Sequence, residues 1–275
     1  MPFTISHAVL APPMAQLTRG RLPLSAVAIG CMAPDFEFFI RLRPAATYAD
    51  TAVGLLMFNL PLSMLILIVW QYVMRRPMIK LIPGRWSHLA QALDEESMLQ
   101  VHRPVTFIMS ILAILAGMAT HFGWDAFTHS YGLMVQQLPV LQTSVPIVGV
   151  SLDVPVYMML QAASGLFGLA GLAWLVWAWA RRQQRTGTGT DALPVKVSVT
   201  VIAFIVLSAC GLALVSILLM RVRMGGRLVP HASVSSGVIG FCTGAALAAL
   251  AYSMAYHLYL HRLAVEAGRP GQADD

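Results

Sequence analysis

Charged side chains are scarce in this chain. Asp, Glu, Lys and Arg make up 11% of its 275 residues, and 57% are hydrophobic. A soluble domain carries about 25% charged residues, so with a mean hydropathy of +0.71 the composition excludes an ordinary water-soluble fold. Cysteine is equally sparse: Cys31, Cys210 and Cys242 are far apart, odd in number and contain no Cys-x-x-Cys pair. That excludes a disulfide framework and a thiolate zinc site. The start, Met1 to His7, lacks the charged end and apolar run of a cleaved signal, so insertion is expected from the first spanning helix. There is no Gly-x-Ser-x-Gly, His-Glu-x-x-His, Walker loop or dinucleotide fingerprint. No internal repeat is visible, which speaks against a permease built from repeated halves. The net charge of +6 comes without a basic stripe interleaved with aromatics, so no nucleic-acid partner is expected. The lipid bilayer is.

Long apolar runs are abundant. Five reach the ~20 residues needed to cross a bilayer, at about 52–74, 105–128, 155–180, 196–220 and 234–260. The fold class is therefore all-α, a polytopic helical bundle of about five spans. Pro61 predicts a kink in the first span. Pro104 suits the first turn of the second. Gly237, Gly240 and Gly244 suit close helix packing in the fifth. The first 50 residues differ. They are broken by Pro12, Pro13, Pro23, Pro34 and Pro44, and the apolar stretch Leu22–Met32 is too short to span. It reads as a buried or interfacial helix leading into Pro34-Asp35. The organisation read from this pattern is a front domain over 1–180, a polar linker at 181–195, two further spans within 196–262 and a disordered tail at 263–275.

Lys and Arg divide 11 to 7 between the two sides of such a bundle, and the loop 129–154 carries none. By the positive-inside rule the C-terminus is cytoplasmic and the N-terminal region, with loop 129–154, is outside.

Against this apolar background the segment His121-Phe-Gly-Trp-Asp125-Ala-Phe-Thr-His129 stands out. Ionisable groups beside a bilayer are costly and mark function. His121 and Asp125, four residues apart, share one helix face. His121 and His129 are about 12 Å apart on a straight helix, so His129 joins the pair only if the helix ends near Thr128. Topology gathers His7, Asp35, Asp50, His121, Asp125 and His129 on one side of the membrane. Imidazole and carboxylate donors together suit zinc, with manganese or iron as alternatives, rather than calcium. The bland reading is a set of interfacial polar residues with Trp124 and Tyr131 as belt anchors, and Asp35 as a helix cap. Glu37 is expected to be solvated. His102 lies about 28 Å before His121 along the helix and is excluded. His257 and His261 read as an interfacial belt at the opposite end.

Several segments resemble, in order, an uncharacterised prokaryotic membrane family, domain-of-unknown-function family 4184. They are Met1-Pro-Phe-Thr-Ile-Ser-His7, Leu22-Pro-Leu-Ser-Ala26, Gly30-Cys-Met-Ala-Pro-Asp35-Phe36, Leu56-Met-Phe-Asn-Leu-Pro61, Ala119 to His129 and Val154-Pro-Val-Tyr157. The resemblance covers roughly residues 1–180. That family is distantly similar to inner-membrane proteins labelled metal-dependent hydrolases. These share an N-terminal His, a Pro-Asp, a His-rich entry to a membrane helix and a later His-x-x-x-Asp. Here His7, Pro34-Asp35 and His121/Asp125 match, whereas Asp50 stands where a His is expected. The resemblance implies a divalent metal held by His7, Asp35, His121 and Asp125 in the cytoplasmic membrane of a prokaryote, to which the helix spacing adds His129 as a conditional ligand. It further implies hydrolysis; a phosphate or ester is the expected bond, with Asp35 or Asp50, as a spare carboxylate, the expected general base. A site at a helix mouth suits a lipid-type substrate. The alternative is a non-enzymatic scaffold or permease-like protein with a structural metal.

Overall fold

The structure is a computed structural model that describes residues 4–45, 47–49, 51–95, 99–146, 153–183, 193–227 and 229–267. It is an all-α polytopic bundle with five helices long and apolar enough to cross a membrane: Leu55–Lys80, Pro104–Gln137, Val156–Arg182, Val195–Arg223 and Ala232–Ala267. These are spans one to five. Two compact units carry them, one of residues 1–67 and 99–182, the other of 68–98 and 183–275. Span one passes from the first into the second after Leu67.

The first unit is built on a crossing of two helices. Leu24–Met32 is a nine-residue helix, about 14 Å long, and carries no charge. It buries Ala26, Val27 and Cys31 against Ala113, Ile114 and Met118 of span two, with Met64 and Leu67 of span one closing the core. The approach is close because Gly30 and Gly117 face each other. A Cβ on Gly117 would lie 2.6 Å from the Cys31 nitrogen, and one on Gly30 would lie 2.8 Å from the Ile114 Cα. Such small-residue contacts let backbones meet where lipid offers no hydrophobic drive. The N-terminal 3-10 helix Thr4–Leu10 packs against this pair and span three, whose Gly168 would place a Cβ 2.9 Å from the Ser6 carbonyl.

Pro61 follows an irregular turn of span one. A π-turn over Leu55–Asn59 precedes it, with the Leu60 N–H bonding the Leu55 carbonyl. A wider turn of this kind accommodates the hydrogen bond that proline cannot donate. Span two is a regular helix from Pro104, in its first turn as expected, to Thr128. Two short helices, Leu133–Gln137 and Pro139–Gln142, and a strand pair follow. The strands β1 (Ser144–Pro146) and β2 (Asp153–Pro155) are antiparallel, with Val145 opposite Val154. Span three starts directly after β2.

In the second unit, spans four and five form an antiparallel hairpin. Gly240 and Gly244 lie at close approaches, where a Cβ would lie 2.6 Å from the Leu212 carbonyl and 2.7 Å from the Ser208 carbonyl. The latter half of span one packs on span five. Pro77 cannot donate to the Val73 carbonyl, four residues back, and His257 Nε2 meets that oxygen at 2.9 Å. Tyr252 donates to the Pro77 carbonyl at 3.2 Å. His257 is thus a backbone cap rather than only part of a surface belt.

Candidate metal centre

Three elements of the first unit deliver the site. The crossing at Gly30 and Gly117 puts the Cys31 carbonyl 2.7 Å from His121 Nδ1. A carbonyl oxygen only accepts, so Nδ1 carries the hydrogen. The other ring nitrogen, Nε2, then points at two carboxylates: Asp125 Oδ2 at 3.1 Å and Asp35 Oδ1 at 3.7 Å. A bare imidazole lone pair facing two carboxylate oxygens is repulsive, so a proton or a metal cation must stand between them. A backbone carbonyl on the far nitrogen is also how metal-binding histidines are held in one tautomer.

His7 comes from the 3-10 helix. Its ring stacks on His121, with centroids 3.8 Å apart and planes 15° from parallel. Nε2 of His7 is 3.7 Å from Asp125 Oδ1 and is buried without a hydrogen-bond partner. Burial, and next the neighbouring His121, hold His7 far below its ordinary value of 6.5, to about 2. It is a neutral donor at physiological pH, as a metal ligand must be. Donor atoms of His7, His121 and Asp125 all lie within 4.8 Å of one another. Donors around one four-coordinate zinc, with bonds of 2.0–2.1 Å, sit about 3.3 Å apart, so small side-chain movements close the set. Two imidazoles and one carboxylate match the three-ligand pattern that leaves a position open for a reactant. The carbonyl end of span two also lies here, and that end of a helix dipole favours a cation.

Asp35 and His129 border this triad. Asp35 precedes the short helix Phe36–Arg41 but makes no capping hydrogen bond, so the cap reading fails. Its Oδ2 instead accepts from Thr4 Oγ1 at 2.6 Å, which leaves Oδ1 toward His121. His129 follows the last residue of the span-two helix in extended conformation, φ −122° and ψ 143°, and its N–H caps the Asp125 carbonyl. The helix therefore ends at Thr128, and His129 turns in: Nδ1 is 3.5 Å from Asp125 Oδ1. Gln161 of span three donates to His129 Nε2 at 3.0 Å.

Of the five residues expected as ligands, His7, His121 and Asp125 form one compact group, with Asp35 beside His121 and His129 beside Asp125. Asp50 lies outside the described residues. His102 is exposed, near the opposite end of the span-two helix. Glu37 is a correction. It is buried, 3% exposed, not solvated. Its carboxylate accepts from the backbone N–H groups of Thr47, Tyr48 and Ala49 and from Thr47 Oγ1, and Arg41 Nε lies 2.7 Å away. Burial opposes its ionisation, but those donors, Ala49 and Tyr48 foremost, outweigh burial and hold Glu37 down to about 2. Glu37, two residues from Asp35, lies on another face of the chain, and a loop ten residues later folds over that face. Thr4, Gln161 and the Cys31 carbonyl were missed too. Gln161, an amide in an apolar span, carried a readable signal; the carbonyl carried none.

The model of the family described as "Domain of unknown function (DUF4184)" matches residues 1–254, and the chain belongs to that family. The match extends well past residue 180, where the visible resemblance stopped, and takes in span four and most of span five. No curated protein and no solved structure matches the chain.

Proposed function

We propose that this protein is a membrane-embedded, metal-dependent hydrolase acting on a phosphate or ester of an amphiphilic molecule. The observation that carries the reading is the His7–His121–Asp125 cluster, its two imidazoles buried and its carboxylate partly so, in which His121 Nε2 is aimed at carboxylates by the hydrogen bond on its other side. In this reading the two imidazoles and Asp125 hold one divalent cation, zinc by donor chemistry. Such a cation supplies a Lewis acid that polarises a phosphoryl or acyl oxygen and acidifies water. Asp35 is the general base, oriented by Thr4 so that Oδ1 is available to take a proton. His129, set by Gln161, keeps the Asp125 carboxylate in place. The site faces the outside of a prokaryotic cytoplasmic membrane, following the charge bias between loops.

A second reading has support from burial: His7 and His121 are 2% and 1% exposed, which suits a structural metal that ties the 3-10 helix to span two in a non-enzymatic scaffold. A permease is disfavoured, because the cluster lies at the end of a span rather than midway along it.

Metal analysis of detergent-purified protein, wild type against His121→Ala and Asp125→Ala, separates the readings. The proposal expects close to one ion per chain in wild type, loss in both variants, and hydrolysis of at least one member of a phosphate and ester panel. Negligible metal in wild type sinks the site. Stoichiometric metal without any hydrolysis assigns the cluster to the structural role.

A further inference from the structure

The stretch that joins spans two and three is chemically unusual. Between Asp125 and Asp153 there is no Asp, Glu, Lys or Arg. A water-facing connection of this length normally carries charge. In its described part Val135 and Leu141 are the buried apolar side chains, 1% and 8% exposed, and Gln142 donates to the Val135 carbonyl at 2.8 Å within the stretch itself. Leu133, Leu138 and Val140 point outward, 58%, 42% and 64% exposed.

We infer that residues 131–146 are a lipid-embedded strap, lying in the interfacial layer of the bilayer rather than in water. Three observations specify lipid as the occupant. First, the surface is continuous with one that lipid already covers. The membrane-length helical segment that begins at Pro104 extends to Gln137, although its straight helix ends at Thr128. That helix of 25 residues is about 37 Å long, more than the ~30 Å hydrocarbon thickness, so its end reaches the headgroup layer where the strap begins. Secondly, half-exposed Trp124 and Tyr131, at 40% and 60%, mark that level, since amphipathic rings settle at the membrane–water interface. Thirdly, the strap's polar side chains are uncharged amides and hydroxyls (Gln136, Gln137, Gln142, Thr143, Ser144), which tolerate headgroups of either charge. An apolar face beside a polar edge is that of an interfacial segment.

The strap also borders the metal centre. His129 precedes it, and Gln161, which meets His129, follows it. Resting on the hydrolase reading, this gives the substrate class. It is an amphiphile whose chains stay in the bilayer beside Leu138 and Val140 while its polar group reaches the His and Asp cluster.

Single cysteines at Leu138→Cys and Val140→Cys, spin-labelled in purified protein in lipid nanodiscs, test the strap. Cys210→Ser and Cys242→Ser remove the other accessible thiols, and Cys31 stays because it is fully buried. Collision of the label with dissolved oxygen is compared with collision with a water-soluble nickel chelate, using Glu266→Cys at an exposed helix end as the aqueous reference. The strap predicts that oxygen dominates at 138 and 140 by at least severalfold over the ratio at 266. Chelate-dominated collision at both positions overturns it, and is the outcome expected if a protein partner covers this face in the cell. The readout requires neither metal nor activity, so it stands or falls separately from the hydrolase reading.

Discussion

At the scale of single residues, two buried side chains are oriented by backbone as well as by other side chains. The Cys31 carbonyl fixes His121 from one side and so decides what its other nitrogen offers. Glu37 works in the reverse direction: a carboxylate gathers the N–H groups of Thr47, Tyr48 and Ala49 and pins the loop leading to span one. An amide at position 37 has at most one acceptor oxygen and turns an NH2 group toward donors, so Glu37→Gln is expected to lower stability by about 2–3 kcal/mol. The effect has a definite pH dependence. The folded carboxyl sits at about 2, below its ordinary value of 4.5, so its contribution is complete above 4.5 and is lost as pH falls through 2. Thermal midpoints in detergent should differ between wild type and Glu37→Gln by the same amount at pH 7 and pH 5, and converge toward pH 2. A gap that stays constant down to pH 2 would show that the carboxylate charge is not what holds the loop. None of this was legible in the sequence. His7, Asp35, His121 and Asp125 were, because ionisable groups in an apolar chain have few explanations. Glu37 looked like a surface residue because most of its partners are backbone atoms of a loop ten residues on.

At the scale of elements, the spans were legible because a bilayer demands about 20 apolar residues from each, and that demand is written in composition. Their ends were less so. Span one was expected to stop near residue 74, before Arg75-Arg76 and Pro77, yet its helix continues to Lys80. The reason is tertiary: His257 takes up the Val73 carbonyl that Pro77 leaves without a donor. The buried helix Leu24–Met32 was anticipated, but not its partner. Its crossing with span two depends on Gly30 and Gly117, two glycines 87 positions apart in a chain that has 21 of them. The crossing is what brings the Cys31 carbonyl to His121, so packing here and site geometry are one event. Gly117→Ala would put a methyl group 2.6 Å from the Cys31 nitrogen, against backbone that cannot rotate away. We expect a loss of about 1–3 kcal/mol together with a clear fall in bound metal per chain. Gly123→Ala, six residues further along the same helix, meets nothing within 4 Å and should leave metal content unchanged, with stability equal or higher because alanine favours helix. Metal retained at the wild-type level in folded Gly117→Ala would separate the crossing from the site.

At the scale of the molecule, chain order and contact order diverge. Counting spans and charges follows the chain and separates a front from a back at the polar stretch near residue 190. Contacts instead group residues 68–98 with spans four and five. The bonds responsible, Tyr252 to the Pro77 carbonyl and His257 to that of Val73, join residues about 180 positions apart and have no signature in composition or periodicity. The family match likewise runs through span four to residue 254, so the second unit is part of the family's architecture rather than an addition. Yet every residue proposed to hold metal belongs to the first unit. Damage within the second unit should therefore lower stability without emptying the site. Gly240→Leu is the sharpest form of this test: even its Cβ would lie 2.6 Å from the Leu212 carbonyl, and the rest of the side chain must force spans four and five apart. The expected cost is at least 1–3 kcal/mol, read as a lower thermal midpoint in detergent, with bound metal per folded chain unchanged from wild type. Metal lost in proportion to that destabilisation would mean that the hairpin helps to hold the His and Asp cluster, and would make the whole bundle the functional unit.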